Sequence, residues 1–176
     1  MGLVHIYCGD GKGKTSAAIG LAVRAAGCGK RVVIARFLKT DNSGEVEILK
    51  RLPEVTLIPC RKTFGFVRSM DEKTKEECAA YNRDLFFEAV ELAKNADLVV
   101  FDEIMAAVNY GMVPEKDVLD FLENRPKKGE PDGLEVVFTG RNPSEALIEA
   151  ADYVSEICKR KHPFDKGIMA RRGVEY

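Results

Sequence analysis

Residues Cys8–Ser16 read CGDGKGKTS, directly after the short apolar run Val4–Tyr7. The order is strand, glycine loop, then an alanine-rich helical stretch over Thr15–Ala26 that stops at Gly27 and Gly29. Gly13, Lys14 and Thr15 match the end of the phosphate-loop pattern G-x-x-x-x-G-K-[ST], but Cys8 departs from its start. Glycines Gly9, Gly11 and Gly13 allow backbone conformations closed to other residues, so successive N–H groups can turn toward one anion. The helix beginning near Lys14 adds its positive end. Lys14 neutralises phosphate charge, the Thr15 hydroxyl can ligate Mg²⁺, and Ser16 continues the loop into the helix. Lys12 is either a second cation for phosphate or a solvated lysine. Asp10 is out of place: a carboxylate 4 Å from a phosphate charge costs about 4 kcal/mol at an effective dielectric of 20. It is therefore expected to point away, capping loop amides or pairing with Lys12.

Further along, apolar runs alternate with helical stretches. Arg31–Phe37, Val55–Ile58, Leu98–Phe101, Glu135–Thr139 and Tyr153–Ile157 read as strands, and Asp71–Asn95, Glu115–Glu123 and Ser144–Ala151 as helices. In the long helix, Cys78, Tyr81, Leu85, Ala89, Leu92 and Ala96 recur at i+3 and i+4 and are expected to form its core face. Continuous apolar strands separated by helices predict an α/β fold: one mostly parallel sheet of about 5–6 strands with helices on both faces. Ligands of such sheets bind at the carboxyl ends of the strands, so the loops after Tyr7, Phe37, Phe101 and Thr139 should share one rim. Asp102-Glu103 closes a strand at that rim, where a carboxylate suits the metal of a nucleotide site; acids favouring a helix start are the plainer alternative. Arg141, after Thr139-Gly140, could hold phosphate through its planar fork or simply face solvent.

Composition bounds the reading. A chain of 176 residues suggests one domain, residues 1–176, with an irregular basic tail over 159–176. Net charge is −1, so no global field recruits nucleic acid or a membrane. Five cysteines (8, 28, 60, 78 and 158) contain no C-x-x-C pair, which argues against a zinc site and a disulfide framework. Free thiols and the lack of any run near the ~20 apolar residues of a membrane span point to a cytoplasmic protein. Lys127–Gly133 (KKGEPDG) reads as a surface loop. His5 reads as a structural histidine, and Cys8 as small filler rather than a low-pKa thiol.

With these pieces in order, the chain resembles the ATP:corrinoid adenosyltransferases of the phosphate-loop type. The loop resembles the family's G-N-G-K-G-K-T-T, and Arg36-Phe37-Leu38-Lys39 with Gly44-Glu45 resembles its Q-F-L-K-G and following G-E. Asp102-Glu103-Ile104, Tyr110-Gly111, Arg125-Pro126 and Thr139-Gly140-Arg141 match D-E-[IL], Y-G, R-P and T-G-R. Lys161-His162, Gly167, Ala170 and Gly173-Val174-Glu175-Tyr176 match its tail. The resemblance implies a P-loop NTPase-like (RecA-like) domain that binds MgATP. A cobalt(I) corrinoid attacks the ribose 5′ carbon and inorganic triphosphate leaves. Lys12, Lys14, Arg141 and Mg²⁺ would stabilise the departing charge. It also implies a homodimer and a flavoprotein electron donor. Asp10 stands where Asn is usual, Ser16 for the second Thr, and Arg36 where Gln is common. In well-known members a G-F-x-W stretch lies against the lower corrin face; here Gly65-Phe66-Val67-Arg68 keeps Phe66 and lacks the Trp. Phe64, Phe66, Val67 and Met70 are expected either to form this platform or to pack under the long helix. His162 reads as either a structural histidine or a contact for phosphate or cobalt. Two other classes fit the glycine loop alone: a small-molecule kinase or ATPase, and a non-catalytic nucleotide- or corrinoid-binding module.

Overall fold

The computed structural model describes residues 2–126 and 133–176. The surface loop expected at Lys127–Gly133 lies, apart from Gly133, outside the described residues. Six strands form one sheet: β1 (Val4–Cys8), β2 (Val32–Arg36), β3 (Val55–Leu57), β4 (Leu98–Asp102), β5 (Glu135–Thr139) and β6 (Tyr153–Glu156). Their spatial order is β3-β2-β4-β5-β1-β6, and every pairing is parallel. All strands therefore end on the same rim, as the sequence predicts. β5 intervenes between the glycine-loop strand β1 and the carboxylate strand β4, which places Thr139 between Tyr7 and Asp102 at that rim.

The helices are α1 (Lys14–Gly27), α2 (Gly44–Leu49), α3 (Glu72–Ala93), α4 (Ile104–Asn109), α5 (Glu115–Asn124) and α6 (Glu145–Glu149). Strand side chains alternate between two cores. Val32, Ile34, Leu98, Val100 and Val137 meet the alanines of α1 (Ala18, Ala22, Ala25, Ala26) and Leu49 of α2. Val33, Ala35, Val99, Phe101, Val136 and Phe138 meet α3, α4, α5 and α6 on the other face. The small alanine side chains of α1 let that helix lie close to the sheet, which fixes the loop ahead of it. Two short helices, α2 and α4, were not anticipated: six residues are too few for a periodic signal.

The expected core face of α3 holds at Cys78, Leu85 and Ala89, with Tyr81 and Ala96 packed against the core at its margin, and is corrected at Leu92. The buried residues of the helix are Cys78, Asn82, Leu85, Phe86, Ala89 and Ala93. Leu92 is 36% exposed, Tyr81 is half-buried, and Ala96 lies past the helix end. The i, i+3, i+4 pattern fits two neighbouring stripes here; packing against β2 and β4 selects the one containing polar Asn82. Among the described residues no helix is long and apolar enough to cross a membrane.

Candidate active site

The glycine loop runs from the end of β1 to α1. Its geometry is set by the strand end beside it. Gly11 N–H donates to Ile157 O at 2.7 Å, and Ile157 N–H to Cys8 O at 2.9 Å. A Cβ on Gly11 would lie 2.6 Å from Ile157 O, so only glycine fits so close to the neighbouring backbone. Gly13 has φ 124°, a left-handed conformation that lets the chain enter α1. That helix has no side-chain cap and no acid in its first turn, an arrangement that suits an anion at its leading N–H groups.

Lys14 is 7% exposed, and its ammonium donates to Gly11 O at 2.8 Å. Burial pushes its pKa down from the ordinary lysine value, and nearby Glu103 works against that shift. A cavity of about 240 Å³ is lined by Asp10–Ser16, Glu103, Arg141 and His162, with Val174 and Glu175 of the tail. The sequence candidates Asp10, Gly11, Lys12, Gly13, Lys14, Thr15, Ser16, Glu103 and Arg141 therefore meet around one space. Gly9 holds the turn into it with φ 102°. Arg141 is exposed and donates to Asp10 O at 3.4 Å.

Asp10 does not pair with Lys12. Its Oδ1 accepts the backbone N–H of Lys159 at 2.8 Å, tying the glycine loop to the chain that leaves β6. That hydrogen bond holds its carboxyl below the usual aspartate range. Lys12 instead donates to Glu175 Oε1 at 3.1 Å. Glu175 also accepts from Arg171 N and Nε at 2.8 and 3.1 Å, and these bonds, those from Arg171 foremost, pull its pKa to about 2. The basic tail is thus tied to the loop at Lys159 and Glu175, while most of its other residues are exposed. Nothing in the composition reveals this, because Glu175 is the tail's one acid beyond Asp165. His162 caps the short helical turn Pro163–Lys166 by accepting Phe164 N–H at 3.2 Å, and it also lines the loop cavity. His5 likewise meets Glu135 at 2.5 Å and stacks on Tyr153. Burial raises the Cys8 thiol pKa, which fits a packed filler and not a reactive thiolate.

Below the loop, Asp102 is fully buried. Its Oδ1 accepts Thr15 Oγ1–H at 2.9 Å and Thr139 Oγ1–H at 2.6 Å. Its Oδ2 accepts the ammonium of Lys39, which also donates to Thr15 Oγ1 at 2.9 Å. Glu103 adopts a left-handed φ of 62°, with its N–H on Thr139 Oγ1 at 2.8 Å. Thr139 thus fixes both acids at once. Its sequence signal was the T-G-R match, read there only for Arg141. Lys39 sat in the quoted R-F-L-K without a role.

These contacts test the site for a divalent cation. Thr15 and Asp102 present hard oxygens to one point, and the Lys39 ammonium lies against both as a stand-in positive charge. The described residues contain no cluster of three or more His, Cys, Asp or Glu that could hold a metal. A hydroxyl plus one or two carboxylates suits Mg²⁺, which keeps waters and shares substrate phosphates rather than taking an all-protein cage.

Beside Lys39 opens a second cavity of about 370 Å³, lined by Leu38, Lys39, Lys62, Phe64, Phe66 and Tyr81 among others. The two expectations for its apolar stretch divide between residues. Phe64, Val67 and Met70 pack against the core, and Phe64 meets the Tyr81 ring at 5.6 Å. Phe66 is 87% exposed at the mouth. Gly65 with φ 80° ahead of it and the short helical turn Val67–Ser69 after it hold the ring outward.

A sequence profile of the family described as ATP:corrinoid adenosyltransferase BtuR/CobO/CobP matches residues 1–176. The chain is 34% identical to the corrinoid adenosyltransferase of Escherichia coli (strain K12), an alignment covering 99% of this chain and 86% of the relative. It is 33% identical to the Pseudomonas aeruginosa protein of the same name, over 99% of this chain and 84% of that one. It is 32% identical to corrinoid adenosyltransferase CobA of Salmonella typhimurium, over 99% and 86%. With a match over its full length and relatives covered nearly whole, the chain belongs to the ATP:corrinoid adenosyltransferase family.

Proposed function

We propose that this protein transfers the 5′-deoxyadenosyl group of ATP to the cobalt of a reduced corrinoid, releasing inorganic triphosphate. The observation that carries the reading is the convergence of Lys12, Lys14 and Arg141 on one cavity above the Thr15–Asp102 pair. That arrangement suits a leaving group of high negative charge. The electron pair comes from cobalt(I), which forms the Co–C bond and is formally oxidised to cobalt(III). The C–O bond at the ribose 5′ carbon breaks, and its electrons leave on triphosphate. No general base is required. Loop amides and the α1 N-terminus orient the triphosphate, and Lys14 with Arg141 stabilises charge as it grows on the departing oxygen. Mg²⁺ held by Thr15 and Asp102, with Glu103 at the rim, would supply Lewis-acid charge to the same oxygens. Phe66 offers an exposed ring for the corrin face. A homodimer and a flavoprotein electron donor, in keeping with the family, complete the proposal, and sedimentation analysis gives the subunit number.

The test is direct. The protein is incubated with MgATP and chemically reduced cob(I)alamin while the absorbance change of Co–C bond formation is followed. Triphosphate should appear only when corrinoid is present. ADP as the main product would instead identify a kinase or ATPase, and nucleotide binding without turnover a carrier.

Phe66→Ala separates the platform role from general damage. Loss of a large apolar contact is worth about 1.5–3 kcal/mol, or roughly 10- to 150-fold. That loss is expected when the reaction starts from cobalt(II) and must pass through reduction. Reactions supplied with cobalt(I) should fall much less. Equal loss in both would remove Phe66 from the corrin site.

A further inference from the structure

The geometry points to Lys39 as the resident counter-ion of the metal site: its ammonium holds the Thr15–Asp102 pair in place and exchanges with the divalent cation. This rests on the reading that Thr15 and Asp102 are metal ligands.

The argument starts from Asp102. A fully buried carboxylate is costly unless a positive charge offsets it, and its other partners, Thr15 and Thr139, are neutral hydroxyls. Lys39 supplies that charge, and it bonds to Asp102 Oδ2 and Thr15 Oγ1 together. One cation therefore bridges the two atoms a divalent ion needs, and both cations cannot bridge them at once. The lysine side chain is 28% exposed, so it has an exit to solvent while Asp102 has none.

The turn that delivers Lys39 is built for the purpose. Leu38 has φ 53°, an unfavourable conformation for a branched apolar side chain. Buried Asn82 accepts the Leu38 N–H at 3.3 Å, and Asn82 is itself tied to Cys78 O at 2.7 Å. On the other side, Phe37 N–H donates to Asp102 O at 2.9 Å. Buried Arg36 then closes the loop, donating to Thr40 O at 3.0 Å and pairing with Asp41. This explains why α3 turns polar Asn82 inward. It also gives the arginine at position 36 a structural task.

Lys39 is thus a positioning residue, and its test needs a readout that simple damage would not produce. Binding of Mn²⁺ alone is measured by electron paramagnetic resonance, without nucleotide, in wild type, Lys39→Met and Lys62→Met. Lys62 is a second ammonium on the wall of the Phe66 cavity, engaged with Glu77 at 2.6 Å. Lys39→Met should bind Mn²⁺ roughly ten-fold or more tightly than wild type, because a competing charge has gone. Lys62→Met should stay within about two-fold, since exposed charges are screened. In chelator, Lys39→Met should melt below wild type, and millimolar Mg²⁺ should narrow the gap by binding the folded form. If the variant does not fold in chelator, recovery on adding Mg²⁺ is the supporting result and failure to recover refutes the proposal. Equal Mn²⁺ affinity in Lys39→Met and wild type, or equal tightening in Lys62→Met, would overturn it. If neither wild type nor Lys39→Met binds Mn²⁺ even with ATP present, the metal-site reading itself fails and this inference falls with it.

Discussion

Lys14→Ala should lower kcat by about 10²- to 10³-fold, the loss expected when one preorganised donor to a developing oxyanion is removed. The lysine stands at the start of α1 with its ammonium held 2.8 Å from Gly11 O, inside the cavity formed by the loop. Charge on the leaving oxygen rises as the C–O bond breaks, so the defect should fall on kcat more than on KM. Single-turnover measurements with pre-reduced corrinoid isolate this step from reduction. The fold should survive, because burial already disfavours this ammonium and its one described hydrogen-bond partner is a loop carbonyl. Circular dichroism melts check that point. A variant with near-normal turnover would move the triphosphate away from Lys14.

Asp102→Ala is expected to damage both stability and activity. Removing the carboxylate strips an acceptor from Thr15 and Thr139 and leaves the Lys39 ammonium unpaired. Breaking a buried pair in this way costs about 3–5 kcal/mol, and the low end applies because Lys39 can turn partly to water. Urea unfolding measures the change. Adding Lys39→Met to Asp102→Ala should recover part of the loss, since the charge left without a partner is then gone; strictly additive effects would deny that the two residues interact. Turnover should fall below about 1% in Asp102→Ala, by removal of an electrostatic contributor at the leaving group.

The site was legible where it is local in sequence. The glycine loop, Lys14, Thr15, the acids after β4 and Arg141 are each adjacent to a strand end, and an all-parallel sheet necessarily gathers such ends. Phe66 was legible as a motif residue, but its exposure was not: Phe64, Val67 and Met70 compete for the same packing surface, and the turn geometry decides which ring is left outside. On α3, against the order of hydropathy, Leu92 is left exposed and Asn82 is buried. Asn82 is inside to hold Leu38, a contact across 44 residues.

By itself, the amino-acid sequence determined the α/β class, the order of the strands and of the longer helices, the glycine loop between β1 and α1 and the family, because those depend on periodicity and on short contiguous patterns. The tertiary structure decided how the loop is braced and who neutralises whom. Asp10 serves the Lys159 amide, Lys12 serves Glu175, and Asp102 is shared by Thr15, Thr139 and Lys39. These pairings join residues 37 to 163 positions apart. No local pattern encodes them: at each acid several cations are chemically acceptable, and only the packing of strand ends and tail against one another selects the partner within hydrogen-bond reach.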